Sequence, residues 1–225
     1  MKVGLFVTNQ QQLATDMVAA LDDQIAMVEL ARDRGWNSLF TGQHYLNEGD
    51  NKQLQAVPFL ARLAAVTGEM TIGLGILLLN LHNPVYTAET IATLDVIARG
   101  KFVFGVGLGY RQVEFDAFGV LKGERVQRFE NYLGLIQRLW TEDRVSYDDS
   151  TCHLSNVRMN IRPVQKPRPP SGSRPIMTRP SSEPLGWAMH GSSILTPRSI
   201  RSGVSGPCTN RSSRLSEKRL RASFR

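Results

Sequence analysis

The chain has 225 residues and a formal charge of +7, and that charge sits at one end: residues 171–225 hold 10 Lys/Arg against 2 Asp/Glu, while the other 170 hold 17 against 18. The length allows one large domain or two small ones, and the composition divides the chain into a near-neutral body, 1–170, and a basic tail, 171–225. Cys152 and Cys208 make neither a metal-ligand spacing nor a disulfide framework, and no apolar run reaches the length of a membrane span.

Val3 to Val7 reads as a compact apolar strand. Asp16 or Thr15 can cap a helix that runs to about Arg34, with Leu21, Ile25 and Val28 on one face and Gly35 as its stop. Trp36 to Thr41 is the second strand, Pro58 to Val66 a short helix, and Thr71 to Leu79 the third strand. Pro84 opens a helix where a missing N–H costs least, and that helix continues to Ala98. Phe102 begins the fourth strand, and a further helix from about Gly123 to Thr141 carries Phe129, Tyr132, Leu133, Ile136, Leu139 and Trp140 on one stripe. Strand starts near residues 3, 37, 71 and 102 are 34, 34 and 31 residues apart. Repeated strand–helix units of that length imply parallel strands with right-handed crossovers, in a barrel or an open doubly wound sheet.

The tail holds 13 serines against 4 in the body, with only Trp187 and Phe224 as aromatics. It lacks the apolar area that would offset its ordering entropy, so a disordered tail is expected, with few buried contacts and no strand continuing the sheet. Its charge alone, without motif or periodicity, does not make it a nucleic-acid binder. No signal-peptide pattern opens the chain, and a cytoplasmic location is expected.

The stretch Arg99 to Gly119 places Gly105, Gly107 and Gly109 at alternate positions at the mouth of a buried strand. Such glycines admit another group close to the backbone, or simply relieve crowding between strands. Together with Asn83-Pro84-Val85, Ala88-Glu89 and Thr93-Leu94-Asp95 upstream, this stretch resembles the bacterial luciferase-like, flavin-dependent monooxygenases. Arg125, Leu139-Trp140 and Arg162-Pro163-Val164-Gln165-Lys166-Pro167 continue the likeness, which covers about residues 1–170. The resemblance implies an incomplete (β/α)8 TIM barrel of about four βα units, with Val145 to Ile161 as the excursion, often a hairpin, before a fifth strand. In a shifted frame, codons for Pro170 to Pro175 can give Ile-Trp-Ile-Ala-Ala, as the family continues, and those for Pro184 to Pro197 can give its next helix and strand. The tail is therefore expected to be a frameshifted translation of the missing barrel half.

Active sites of such barrels lie at the carboxyl ends of the strands, which here draws attention to Asn9, Gln10, His44, Asn80, His82 and the segment Gly107 to Glu114. The resemblance places His44 against the flavin as the acid/base group, and an imidazole titrating near neutrality suits that work. It assigns cofactor binding to Gly75, Ile76, Asn80, Gly107, Leu108 and Gly109. Gly75-Ile76 matches a place where several members hold a non-proline cis peptide; a plain β-bulge is the alternative. Luciferase large subunits carry an arginine where this chain has Leu108, so the likeness is to the general oxidoreductases of the family, using FMN or the deazaflavin F420. Asp95, a carboxylate inside an apolar helical stripe, is expected to accept hydrogen bonds from the glycine-loop amides. Glu114 either orients the loop after the glycines or is a solvated helix-start carboxylate.

The expected function is oxidation of a small organic substrate by reduced FMN and O2, with a flavin reductase as supplier, F420 as the alternative cofactor and no metal. The rival reading is an inactive half-barrel with weak or no flavin binding. A homodimer is expected through Pro58–Val66 and Val85–Ala98, where Ala88, Ile91, Ala92 and Leu94 leave apolar side chains for a partner.

Overall fold

The computed structural model describes residues 2–47 and 49–173. In chain order the elements are β1 (Gly4–Val7), β2 (Gln10–Gln12), α1 (Met17–Asp33), β3 (Ser38–Thr41), β4 (Asn51–Gln53) and α2 (Ala56–Ala64). There follow β5 (Thr71–Leu74), β6 (Leu77–Leu78), α3 (Pro84–Ile97), β7 (Phe102–Gly107), α4 (Gln112–Ala117), α5 (Arg125–Thr141), β8 (Val145–Asp148), β9 (His153–Val157) and β10 (Ser171–Ser173).

Local chemistry sets the helix ends. The Asp16 carboxylate accepts from the N–H groups of Val18 and Ala19, and Gly35 leaves α1 with φ of 72°. Asn83 caps α3 in the same way through Val85 and Tyr86, with Pro84 at the first helical position. On α1 the buried stripe is Ala20, Gln24, Val28 and Ala31; Leu21 and Ile25 flank it half-buried.

Strands β1, β3, β5, β7 and β10 form one parallel sheet in that order, with Gly4 beside Ser38, Ser38 beside Thr71, Ile72 beside Phe102 and Ser171 beside Phe104. The four expected strands are thus consecutive and parallel. The expected third strand is two: β5 ends at Leu74, the peptide Gly75–Ile76 is cis, and the chain resumes as β6 beside β7. The excursion is the antiparallel hairpin β8–β9. Two elements were not expected: α4, and the antiparallel ribbon β2–β4, in which Gln10 lies opposite Gln53.

One core packs the sheet against its helices. Leu39, Ile72, Leu74, Phe102, Phe104 and Val106 cluster with Ile91, Leu94, Ile136, Leu139 and Trp140, all nearly inaccessible. The Trp140 ring meets Phe104 edge-on at 5.6 Å, and its indole N–H donates to the Ala88 carbonyl at 3.0 Å. The other face of the sheet is glycine-lined: a Cβ on Gly73 would collide with the Phe40 ring, and Gly75 and Gly42 lie against Phe6.

Three expectations are corrected here. Ala88, Ile91, Ala92 and Leu94 are buried in the chain's own core, so they offer nothing to a second copy; the exposed apolar side chains of α3 are Tyr86, Val96 and Ile97. A helix apolar on more than one side is here a helix covered on more than one side by its own chain. Asp95 does not hold the glycine loop: its buried carboxylate accepts from the Val164 and Gln165 N–H groups at 2.7 and 3.1 Å and from Gln165 Nε2 at 2.6 Å. Gln165 Nε2 also reaches the Phe102 carbonyl, so this clamp fixes the start of β7. Finally, a strand does continue the sheet beyond residue 170, since Ser171–Ser173 pairs with Phe104–Val106 and Phe104 N–H donates to the Pro170 carbonyl. The remainder of the expected disordered tail, 174–225, lies outside the described residues. Among those described, no helix is long and apolar enough to cross a membrane.

Candidate functional site at the carboxyl ends of the strands

Parallel strands deliver all their following loops to one end of the sheet. The loop after β3 is tied there by a chain of polar contacts. Gln43 Nε2 donates to the Tyr45 hydroxyl at 2.8 Å, while Gln43 Oε1 accepts from the Leu78 N–H on β6. Having accepted that bond, the phenol turns its own proton to His82 Nε2, 3.1 Å away. Burial lowers the His82 pKa to about 4, in keeping with a neutral ring that accepts, and burial pushes the Tyr45 phenol up to about 12.

His44 stands between these two residues in sequence and points elsewhere. Its Nδ1 lies 3.2 Å from Glu114 Oε1; the Glu114 side chain is 1% exposed and that of His44 is 29% exposed. Glu114 Oε1 also accepts the Tyr45 N–H at 2.9 Å and stands 3.5 Å from Arg111 Nη1. An oxygen already receiving donors accepts from His44 too, so Nδ1 carries a proton and turns Nε2 away from Glu114. Arg111 donates to the Tyr45 and Leu46 carbonyls at 2.9 and 2.8 Å, which locks the loop around the pair.

The glycines of β7 serve the neighbouring strand. A Cβ on Gly105 would collide with the Leu74 carbonyl oxygen, and one on Gly107 with the Ile76 side chain. Gly109 has φ of 71° and sits against Leu78. Asn80 is fully buried, donating from Nδ2 to the Leu108 carbonyl at 3.0 Å. Gly75, Ile76, Asn80, Gly107, Leu108 and Gly109 are therefore brought together as one packed unit, and Gly75–Ile76 is cis rather than a bulge. The space that Gly107 leaves is filled by Ile76. His44 joins this unit through Gln43 and Leu78.

Beside His44 opens a cleft of about 190 Å³, lined by Gln10, His44, Asn47, Asn51, Tyr110 and Arg111. Tyr110 is 70% exposed and meets the His44 ring edge-on at 6.1 Å. Of the positions to which the sequence drew attention, Gln10, His44, Tyr110 and Arg111 line this cleft, whereas the expected cofactor-binding residues Gly75, Ile76, Asn80, Gly107, Leu108 and Gly109 do not. Sequence reasoning left Glu114 undecided; its signal was a carboxylate held between Val113 and Phe115 at a helix start, where burial forces it to find donors. Nothing in Gln10-Gln11-Gln12 announced the ribbon that walls the cleft.

Four buried side-chain polar atoms among the described residues lack a partner: Asn9 Oδ1, Gln24 Oε1, Asn80 Oδ1 and Glu114 Oε2. Three of them, those of Asn9, Asn80 and Glu114, follow the strand ends at this site. Buried acceptors normally find donors, so this concentration fits a polar group binding here. For a flavin, the residues present fit one flank of the ring, with a half-exposed imidazole, spare acceptors and a polar wall. Among the described residues there is no cluster of three or more His, Cys, Asp or Glu that could hold a metal ion.

The sequence profile described as luciferase-like monooxygenase matches residues 1–184. The chain belongs to that family. An F420-dependent glucose-6-phosphate dehydrogenase of Microbacterium testaceum is 31% identical over 143 residues, covering 61% of this chain and 42% of that protein. Monooxygenase RslO1 of Streptomyces bottropensis superposes with a TM-score of 0.70 at 26% identity, over 77% of this chain and 53% of that one. The oxygenating constituent of 3,6-diketocamphane monooxygenase from Pseudomonas putida, solved with FMN, shares the fold at a TM-score of 0.68 and 15% identity, over 77% and 51%. The chain spans about two fifths of the length of the first curated relatives it matches, 43% and 42%.

Proposed function

We propose that this chain carries the His44 side of a flavin-dependent oxidoreductase site, a monooxygenase that uses reduced FMN and O2 on a small organic substrate. The observation that carries the reading is the pair formed by a half-exposed His44 and a fully buried Glu114 at 3.2 Å, at the carboxyl ends of parallel strands. The neighbour solved with FMN supports FMN; the F420-dependent relative keeps that deazaflavin as the alternative. A reduced flavin supplies the electron pair that O2 accepts. Glu114 fixes the His44 ring and holds a proton at Nδ1, so Nε2 takes or returns a proton at the cleft. The unit of Gly75, Ile76, Asn80, Gly107, Leu108 and Gly109 holds the backbone against which the ring would rest. A flavin reductase would supply the reduced cofactor, and a homodimer, if formed, must use surfaces other than the buried face of α3.

Titration of the full chain with FMN and with F420, read by flavin fluorescence, tests this. Saturable quenching by FMN is the expected result. No quenching by either cofactor would overturn the reading and leave the inactive half-barrel. In the loaded protein, His44→Gln should keep the quenching and lower substrate oxidation by about 10²–10⁴-fold, the usual worth of a positioned acid/base group.

A further inference from the structure

The wall of the cleft beside His44 has a chemistry of its own. Gln10 and Asn51 project from the β2–β4 ribbon, both exposed, and neither side chain has a hydrogen-bond partner among the described residues. Asn47 donates from Nδ2 to Gln53 Oε1 at 3.3 Å, leaving its carbonyl oxygen unengaged. Each carboxamide offers a donor and an acceptor side by side, the complement of a hydroxyl that both gives and takes a proton. The cationic side chain of the cleft is already committed: Arg111 donates to the Tyr45 and Leu46 carbonyls and stands beside Glu114. Among the described residues, the groups left to bond a ligand along this wall are therefore the neutral carboxamides.

Tyr110 supplies the remaining element. Its ring is 70% exposed at the lip of the cleft and edge-on to His44. An exposed aromatic face packs well against C–H groups while its hydroxyl stays wet. The cleft, about 190 Å³, is smaller than the roughly 300–1,000 Å³ of pockets that enclose drug-sized ligands, so it suits one ring rather than a long chain.

Resting on the reading of His44 as the reactive flank, we infer that this cleft receives a neutral, polyhydroxylated ring of the substrate. Gln10, Asn47 and Asn51 bond its hydroxyls, and Tyr110 covers its C–H face. An alkyl chain or a flat terpenoid would cover the Gln10 and Asn51 carboxamides without pairing them, which selects against it.

The test uses the full chain, with methyl glucoside as the neutral ring and 1-octanol as the apolar rival, and reads the His44 imidazole resonance by NMR. Methyl glucoside should shift that resonance saturably and 1-octanol should not. In the double variant Gln10→Leu, Asn51→Leu the glucoside should bind at least about tenfold more weakly, as the loss of one or two hydrogen bonds requires. An unchanged amide spectrum elsewhere verifies that the variant is folded; Tyr110→Ala serves as a second variant with the same expected direction. No glucoside shift up to the solubility limit, equal binding by the folded double variant, or a shift from 1-octanol instead would each overturn the inference. Flavin quenching that persists while the glucoside fails removes the polyol alone. A glucoside shift without flavin quenching removes the proposed redox reaction and leaves the polyol subsite.

Discussion

His82 shows how a single residue is made by its surroundings. As part of His-Asn-Pro it reads as turn chemistry, yet its ring is packed near Tyr45 and Phe118, and burial lowers its pKa to about 4. The unfolded chain takes up a proton there near pH 6.5; the folded chain takes it up only near pH 4. Between those values the unfolded state binds more protons, so this contribution is complete above pH 6.5 and lost as the pH falls toward 4. Its size is on the order of 3 kcal/mol at most. Urea unfolding followed from pH 7 to pH 4 should show the loss, and His82→Gln, which can still accept from Tyr45, should flatten it. An unchanged slope in that variant would mean that other groups carry the acid sensitivity. His44 stands out in the sequence because a family pattern marks it, and the structure places it beside Glu114. Glu114 was only half legible, because a carboxylate at a helix start looks the same whether water or a histidine meets it.

At the level of elements, strands and helices were read well where periodicity and caps agree: Asp16, Asn83 and Pro84 mark their helices by chemistry that acts within four residues. The ribbon β2–β4 was not legible, since its pairing joins residues far apart in sequence that carry no apolar alternation. Glycines divide sharply by what stands beside them, and the sequence does not reveal it. At Gly105 a Cβ would run into the backbone oxygen of Leu74, which cannot rotate away, so Gly105→Ala should part β5 from β7 and cost about 3 kcal/mol, the upper end of what overpacking usually costs. Gly134, exposed in the middle of α5, has nothing within 4 Å. Gly134→Ala should therefore raise stability by about 0.5–1 kcal/mol through the ordinary helix preference. Thermal unfolding of the two variants should move in opposite directions; a shared direction would contradict the packing around β7.

Across the whole molecule, parallel strands followed from the 31- to 34-residue spacing and their consecutive order from the family resemblance, but which distant segment satisfies a buried carboxylate followed from neither. The clamp on Asp95 is the clearest case. Asp95→Ala leaves the Val164 and Gln165 amides without their acceptor and should lower stability by about 3 kcal/mol or more in urea. Asp95→Asn should recover less than half of that, because an amide NH2 would face the donor Gln165 Nε2. Full recovery by Asn would show that the charge itself is dispensable.

That clamp also has a consequence in time. The acceptor and its donors lie up to 70 positions apart. At the about 5–20 residues per second of synthesis, on the order of 4–14 s pass between their appearances. Throughout that interval the Asp95 carboxylate has no lining to enter and is best left in water, and α3 with it. The helix that closes over β7 must wait on the growing chain, so the first strands are made well before their cover can be fastened down.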